Sequence, residues 1–125
     1  MKTNLRLLIV AIVAFISVGS LAACSSAPSV DIKKYSAVID VRTPQEYATG
    51  HLKGALNIDI QGPDFSAQIE QLDKAASFYI YCHSGNRAGQ AINFMEGDGF
   101  TGTLTNGGAV EDASSATGLE IVQNY

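Results

Sequence analysis

Phe78-Tyr79-Ile80-Tyr81-Cys82-His83-Ser84-Gly85-Asn86-Arg87-Ala88-Gly89 changes character twice. Phe78 to Cys82 is an unbroken apolar and aromatic run, the pattern of a strand buried on both faces. His83 to Asn86 is small or polar. From Arg87 onward Ala88, Ala91, Ile92 and Met95 recur at helical spacing until Gly97 and Gly99 stop the helix. The reading is strand, tight loop, helix, with Cys82 at the joint. In an open parallel sheet, ligands collect at the carboxyl ends of strands. A helix amino terminus adds unpaired N–H groups and a partial positive charge. Ser84 and Gly85 are small enough to let the backbone curl around one atom. Arg87 brings a permanent charge on a planar fork suited to an oxyanion. The expected object is a cradle of N–H groups around the Cys82 sulfur, open at the sheet mouth, with an anion site beside it.

Working outward, Ala37-Val38-Ile39-Asp40-Val41 predicts a second buried strand. Thr43-Pro44-Gln45-Glu46 carries a helix start: Thr43 as cap, Pro44 at the first helical position, Glu46 completing a capping box. That helix ends near Gly50. Ala55 to Ile58 predicts a short strand, and Phe65 to Asp73 a helix with Ile69 and Leu72 inward. Downstream, Gly102 to Thr105 predicts a strand, Asn106-Gly107-Gly108 a turn, Ala109 to Ser115 a helix and Leu119 to Val122 an edge strand. Strands alternating with helices give an α/β fold with a small, mostly parallel central sheet flanked by helices.

The front of the chain is a targeting segment, not part of that fold. Lys2 and Arg6 precede an apolar run from Leu7 to Val18, too short for a span of about 20 residues. Leu21-Ala22-Ala23-Cys24 resembles the lipobox of bacterial lipoproteins. The resemblance implies a signal peptide over residues 1–23, lipid (palmitate) on Cys24, and a cell-envelope protein anchored to a membrane and facing outside the cytoplasm. Residues 24–34 then form anchor and linker, and residues 35–125 one domain. Without Lys2 and Arg6, six basic residues face twelve acidic ones, a net charge of −6. No basic patch serves nucleic acid. With Cys24 lipidated, Cys82 is the only thiol of the folded part and has no internal disulfide partner. Cys82, His51 and His83 lack metal-ligand spacing, and no cofactor motif is present. An unpaired thiol outside the cytoplasm invites oxidation, so Cys82 is either buried and inert or the working atom.

Two blocks, DVRTPQEYATGHLKGALNI from Asp40 to Ile58 and YCHSGNRAGQA from Tyr81 to Ala91, together resemble the single-domain rhodaneses, sulfurtransferases with short exported bacterial forms. The resemblance spans roughly Val38 to Gly108. It implies that Cys82 is the nucleophile and carries sulfane sulfur as a persulfide. It also implies that His83, Ser84, Gly85, Asn86 and Arg87 form the substrate-binding loop, with thiosulfate or a related small anion as donor and cyanide or a thiol as acceptor. Related folds act as phosphatases or arsenate reductases, with five residues between cysteine and arginine in the phosphatase style. Here there are four, His83 to Asn86, and the narrower loop suits one sulfur atom better than a phosphoryl group. A non-catalytic sulfur carrier or partner-binding module is the other alternative. The chain lacks the tryptophan many rhodaneses carry after the Gly-Gly turn, and little of a strand precedes Val38.

Asp40 and Arg42 are read as supporting residues. Asp40 bonds loop N–H groups, and Arg42 pairs with Glu46 across a helical turn. His51 is a packing residue, Lys53 is solvated, and His83 lines the entrance. Thiol acidity alone supplies little. For any cysteine, dropping the pKa two units from about 8.5 raises the thiolate fraction about 25-fold at pH 7. It also weakens the nucleophile by roughly 6- to 10-fold. The loop's larger expected work is to stabilise an anionic persulfide and position the donor.

Overall fold

The computed structural model describes residues 27–124. The signal segment and Cys24 lie outside the described residues. Two strands form the centre, β1 (Ala37–Asp40) and β4 (Phe78–Cys82), paired in parallel with Ile39 opposite Ile80. β3 (Leu56–Asn57) flanks β1 and β5 (Leu104–Ala109) flanks β4, so the all-parallel sheet runs β3-β1-β4-β5. Every residue of β4 is buried, which is why its sequence shows no polar alternation. Successive side chains point to opposite faces. Phe78, Ile80 and Cys82 join Ile39, Val41, Ile69 and Met95 on one face, while Tyr79 and Tyr81 join Val38, Leu52 and Val110 on the other.

Helices cover both faces. α2 (Phe65–Glu70) buries Phe65 and Ile69, and α3 (Asn86–Gly97) buries Ala88, Ala91 and Met95 on the Cys82 face. On the opposite face α4 (Val110–Thr117) buries Val110 and Ala113. Truncating a core residue such as Ile80 to Ala costs about 2–5 kcal/mol. α1 (Pro44–Thr49) begins with the expected capping box. The Glu46 N–H donates to Thr43 Oγ1 at 3.3 Å, and the Thr43 N–H donates to Glu46 Oε2 at 3.0 Å.

Three features differ from the sequence reading. Leu119 to Val122 does not edge the main sheet: β6 (Ile121–Val122) pairs antiparallel with β2 (His51–Leu52), a two-residue strand too short to show a period. Asn106-Gly107-Gly108 is not a free turn but lies inside β5. The register there passes from Ile80 opposite Asn106 to Cys82 opposite Ala109, so Gly107 and Gly108 together face Tyr81, a β-bulge. The stretch read as linker up to Lys34 is packed from Val30 onward. The Val30 N–H donates to Ala116 O at 2.9 Å, and Val30, Ile32 and Tyr35 cover the Tyr79 face.

Candidate active site

The apolar run of β4 carries the chain through the sheet centre and delivers Cys82 to its carboxyl edge. Gly85 turns the chain with φ +90° and ψ −14°, in the left-handed region where a side chain is strained, and serves as the N-cap of α3. That turn brings the Gly85 N–H back onto the sulfur, donating to Cys82 Sγ at 2.9 Å. Among the described residues it is the one amide that meets the sulfur, where a fuller ring was expected. The first intrahelical bond of this turn is Gly89 N–H to Gly85 O at 3.0 Å. The N–H groups of Asn86, Arg87 and Ala88 precede it and have no helical partner. His83, Ser84 and Asn86 are exposed. The sulfur itself is not: Cys82 is 0% exposed and packs in the core of the α3 face. The expected open mouth is closed over the thiol, although the amide is aimed at it.

Arg87 leaves α3 toward α1. Its two terminal nitrogens donate to the two oxygens of Glu46, Nη1 to Oε2 at 2.7 Å and Nη2 to Oε1 at 2.8 Å. Thr43 Oγ1 also donates to Glu46 Oε2 at 3.0 Å. With its bonds to Arg87 first, the Glu46 carboxyl is held at about 2 against an ordinary 4.5. Arg87 is pushed above its usual value, chiefly by the same bonds. The fork read as an oxyanion site therefore already grips a carboxylate. Sequence reasoning placed Glu46 in its cap but missed this role, because the partner lies 41 positions away.

Arg42 does not pair with Glu46. It folds back onto Asp40, with Nη2 donating to Oδ2 at 2.7 Å and Nε to Oδ1 at 3.0 Å, and it also donates to Gly50 O. The Arg42 N–H closes the turn on Asp40 Oδ1 at 2.9 Å. Both side chains are buried, at 6% and 0% exposure. Burial alone would lower the Arg42 pKa; the bonds and charge of Asp40 lead the effects that outweigh it, and the pKa rises above its usual value. This pair braces the β1–α1 turn, where the loop N–H that Asp40 receives is that of Arg42. His51 is buried, donates from Nδ1 to Tyr47 O at 2.8 Å and stacks on the Tyr47 ring. Lys53 is exposed beside Glu120. Asn106, also missed as a site residue, donates from Nδ2 to Gly85 O at 2.9 Å. Clefts of about 500 Å³ and 310 Å³ lie beside β3 and α2 around Asn57, Asp64 and Gln68, and neither is lined by Cys82.

The parallel sheet, the thiol at the carboxyl end of its central strand and the helix-capping amide on that thiol define an α/β protein with a cysteine-bearing loop at the sheet edge. Residues 26–113 match the family described as Rhodanese-like domain. The thiosulfate sulfurtransferase PspE of Escherichia coli K12 is 32% identical over 74 residues, covering 59% of this chain and 70% of that protein. The thiosulfate sulfurtransferase GlpE of Pseudomonas putida F1 is 32% identical over 80 residues, covering 63% and 70%. Among solved structures, a rhodanese with anions from E. coli superposes with a TM-score of 0.57 at 28% identity, covering 70% of this chain and 98% of that one. The chain belongs to the rhodanese-like domain family, and it is an enzyme of the thiosulfate sulfurtransferase type.

Proposed function

We propose that the chain moves sulfane sulfur through a persulfide on Cys82. The Cys82 thiolate attacks the outer sulfur of thiosulfate or a related donor. A new S–S bond forms, the donor S–S bond breaks, and sulfite leaves with the electron pair. A thiol or cyanide then takes the outer sulfur and returns the thiolate. This is covalent catalysis in two steps. The observation that carries the reading is the Gly85 N–H on Sγ. The amide aims a donor at the sulfur, and the N–H groups of Asn86, Arg87 and Ala88 at the start of α3 suit the outer sulfur of a persulfide. Because Cys82 is fully buried, loading requires the exposed residues of the loop, His83, Ser84 and Asn86, to yield. An anionic donor that uses Arg87 must exchange with Glu46. The lipobox at Cys24 supports placing the enzyme on a membrane of the cell envelope, outside the cytoplasm, with donor and acceptor drawn from that compartment.

The test is an intact mass of the chain after incubation with thiosulfate. The expected result is a gain of one sulfur atom, absent in Cys82→Ser, and lost on adding cyanide as thiocyanate appears. A chain that takes up no sulfur under these conditions refutes the reading. Uptake without release to any acceptor moves it to a carrier.

A further inference from the structure

The Asn106-Gly107-Gly108 bulge of β5 lies against the Cys82 loop. A Cβ on Gly85 would stand 3.3 Å from Gly108 Cα and 3.4 Å from Asn106 Oδ1. The two segments thus meet as bare backbone at the turn that carries the sulfur-binding amide. Asn106 uses both ends of its amide there. Nδ2 donates to Gly85 O at 2.9 Å, and Oδ1 accepts from the Gly108 N–H at 2.9 Å. What delivers Asn106 is the register shift opposite Tyr81. The shift needs glycine at 107, where a Cβ would come within 2.5 Å of the Tyr79 ring, and Gly108 adopts φ +74°.

We infer that Asn106 is a positioning residue for the reacting sulfur, acting through Gly85. The amide that meets Sγ belongs to glycine, the residue whose own sterics restrain its dihedrals least. Something outside it must hold its orientation. The Gly85 carbonyl is held by two donors, the Gly89 N–H from within α3 and Asn106 Nδ2 from across the sheet. The carbonyl and the N–H lie in adjoining peptide planes hinged at the Gly85 Cα, so holding the carbonyl narrows the orientations open to the N–H that meets Sγ. Asn106 touches neither sulfur nor donor. It keeps the loop preorganised, so the N–H need not reorient when charge develops on the sulfur.

This inference rests on the sulfur-transfer reading, and its test separates the two. Asn106→Asp keeps the shape and the acceptor for the Gly108 N–H but loses the donor. Asn106→Ser loses both without adding charge. Asn106 is exposed, so neither change opens the core. In the 15N-labelled full chain, Cys82→Ala removes the sulfur that the Gly85 N–H meets and displaces the Gly85 amide-proton resonance of the parent. In both Asn106 variants that displacement falls to less than half. Single-turnover sulfur loading at saturating thiosulfate slows about five- to tenfold, with KM within about twofold and the thermal midpoint little changed. An undiminished Gly85 displacement overturns the assignment whatever the rate does. So does a lowered thermal midpoint with parental loading, the result of a merely structural residue. If the parent itself takes up no sulfur, the functional reading fails while the Gly85 resonance still decides the role of Asn106.

Discussion

Replacing Glu46 by Gln isolates the pair that ties the Cys82 loop to α1. Gln at the third helical position still completes a capping box with Thr43, so the helix start survives while the carboxylate charge facing Arg87 is lost. A carboxyl held at about 2 against 4.5 corresponds in full to about 3.4 kcal/mol, at 1.36 kcal/mol per pH unit. The Glu46 side chain is 35% exposed and that of Arg87 20%, so solvent screening reduces the figure to about 1 kcal/mol. The bonds from Thr43 hold part of the remainder. Because the folded pKa is depressed, this stabilisation is fully present above pH 4.5 and is lost as the pH falls toward 2. About half has gone by pH 3. The assay is a double-mutant cycle of Glu46→Gln and Arg87→Met, read by urea unfolding at pH 7 and pH 3. The expected coupling is about 1 kcal/mol at pH 7 and about half that at pH 3. A coupling below about 0.3 kcal/mol at pH 7, or one that does not change with pH, would refute the assignment of the ion pair.

Arg87→Ala is expected to raise KM for thiosulfate about tenfold, the loss of a charged hydrogen-bonding partner, while sulfur still loads on Cys82; unchanged turnover kinetics remove Arg87 from donor binding. Gly102→Ala is expected to destabilise the fold by about 1–3 kcal/mol in urea unfolding, since its Cβ would fall 1.9 Å from the backbone oxygen of Ala76; a parental midpoint would refute the close approach of the segments that lead into β4 and β5. Cys24→Ser is expected to abolish palmitate incorporation and move the chain from the membrane to the soluble fraction; continued labelling with lipid would place the anchor elsewhere.

The elements legible in the sequence were those whose determinants are local. Phe78 to Cys82 has one pattern and one length compatible with it, and the strand ends where that run ends. Thr43, Pro44 and Glu46 specify a helix start through bonds spanning three residues. The misses share a cause. Asn106-Gly107-Gly108 has turn composition, and both glycines are needed, but for reasons set by the fold: the Tyr79 ring beside Gly107 and the φ of +74° at Gly108. The β2–β6 ladder joins two dipeptides some seventy residues apart, and nothing in either carries a period. The site divides the same way. Cys82 and its loop follow from one contiguous block, whereas Glu46 and Asn106 reach the loop only through the fold.

Arg42 shows what that division does to chemistry. By spacing it suits an i, i+4 pair with Glu46 on α1. Asp40 lies closer in the chain and is already buried at the end of β1, where an unpaired carboxylate would be costly, so the guanidinium turns inward to it. Glu46 is thereby left for Arg87. Both arginines of the two sequence blocks are then neutralised by carboxylates, and His83 to Asn86 add no permanent charge. The fixed charges around the sulfur cancel within a domain that is acidic as a whole. Long-range steering therefore does not bring an anionic donor here. On the proposed function, attraction arises at contact, from the N–H groups at the start of α3 and from exchange of Glu46 for the donor on the Arg87 fork. The expected consequence is that the strength of the Glu46–Arg87 pair sets which donors are accepted: a divalent anion competes for the fork, whereas an uncharged donor gains nothing from displacing the carboxylate.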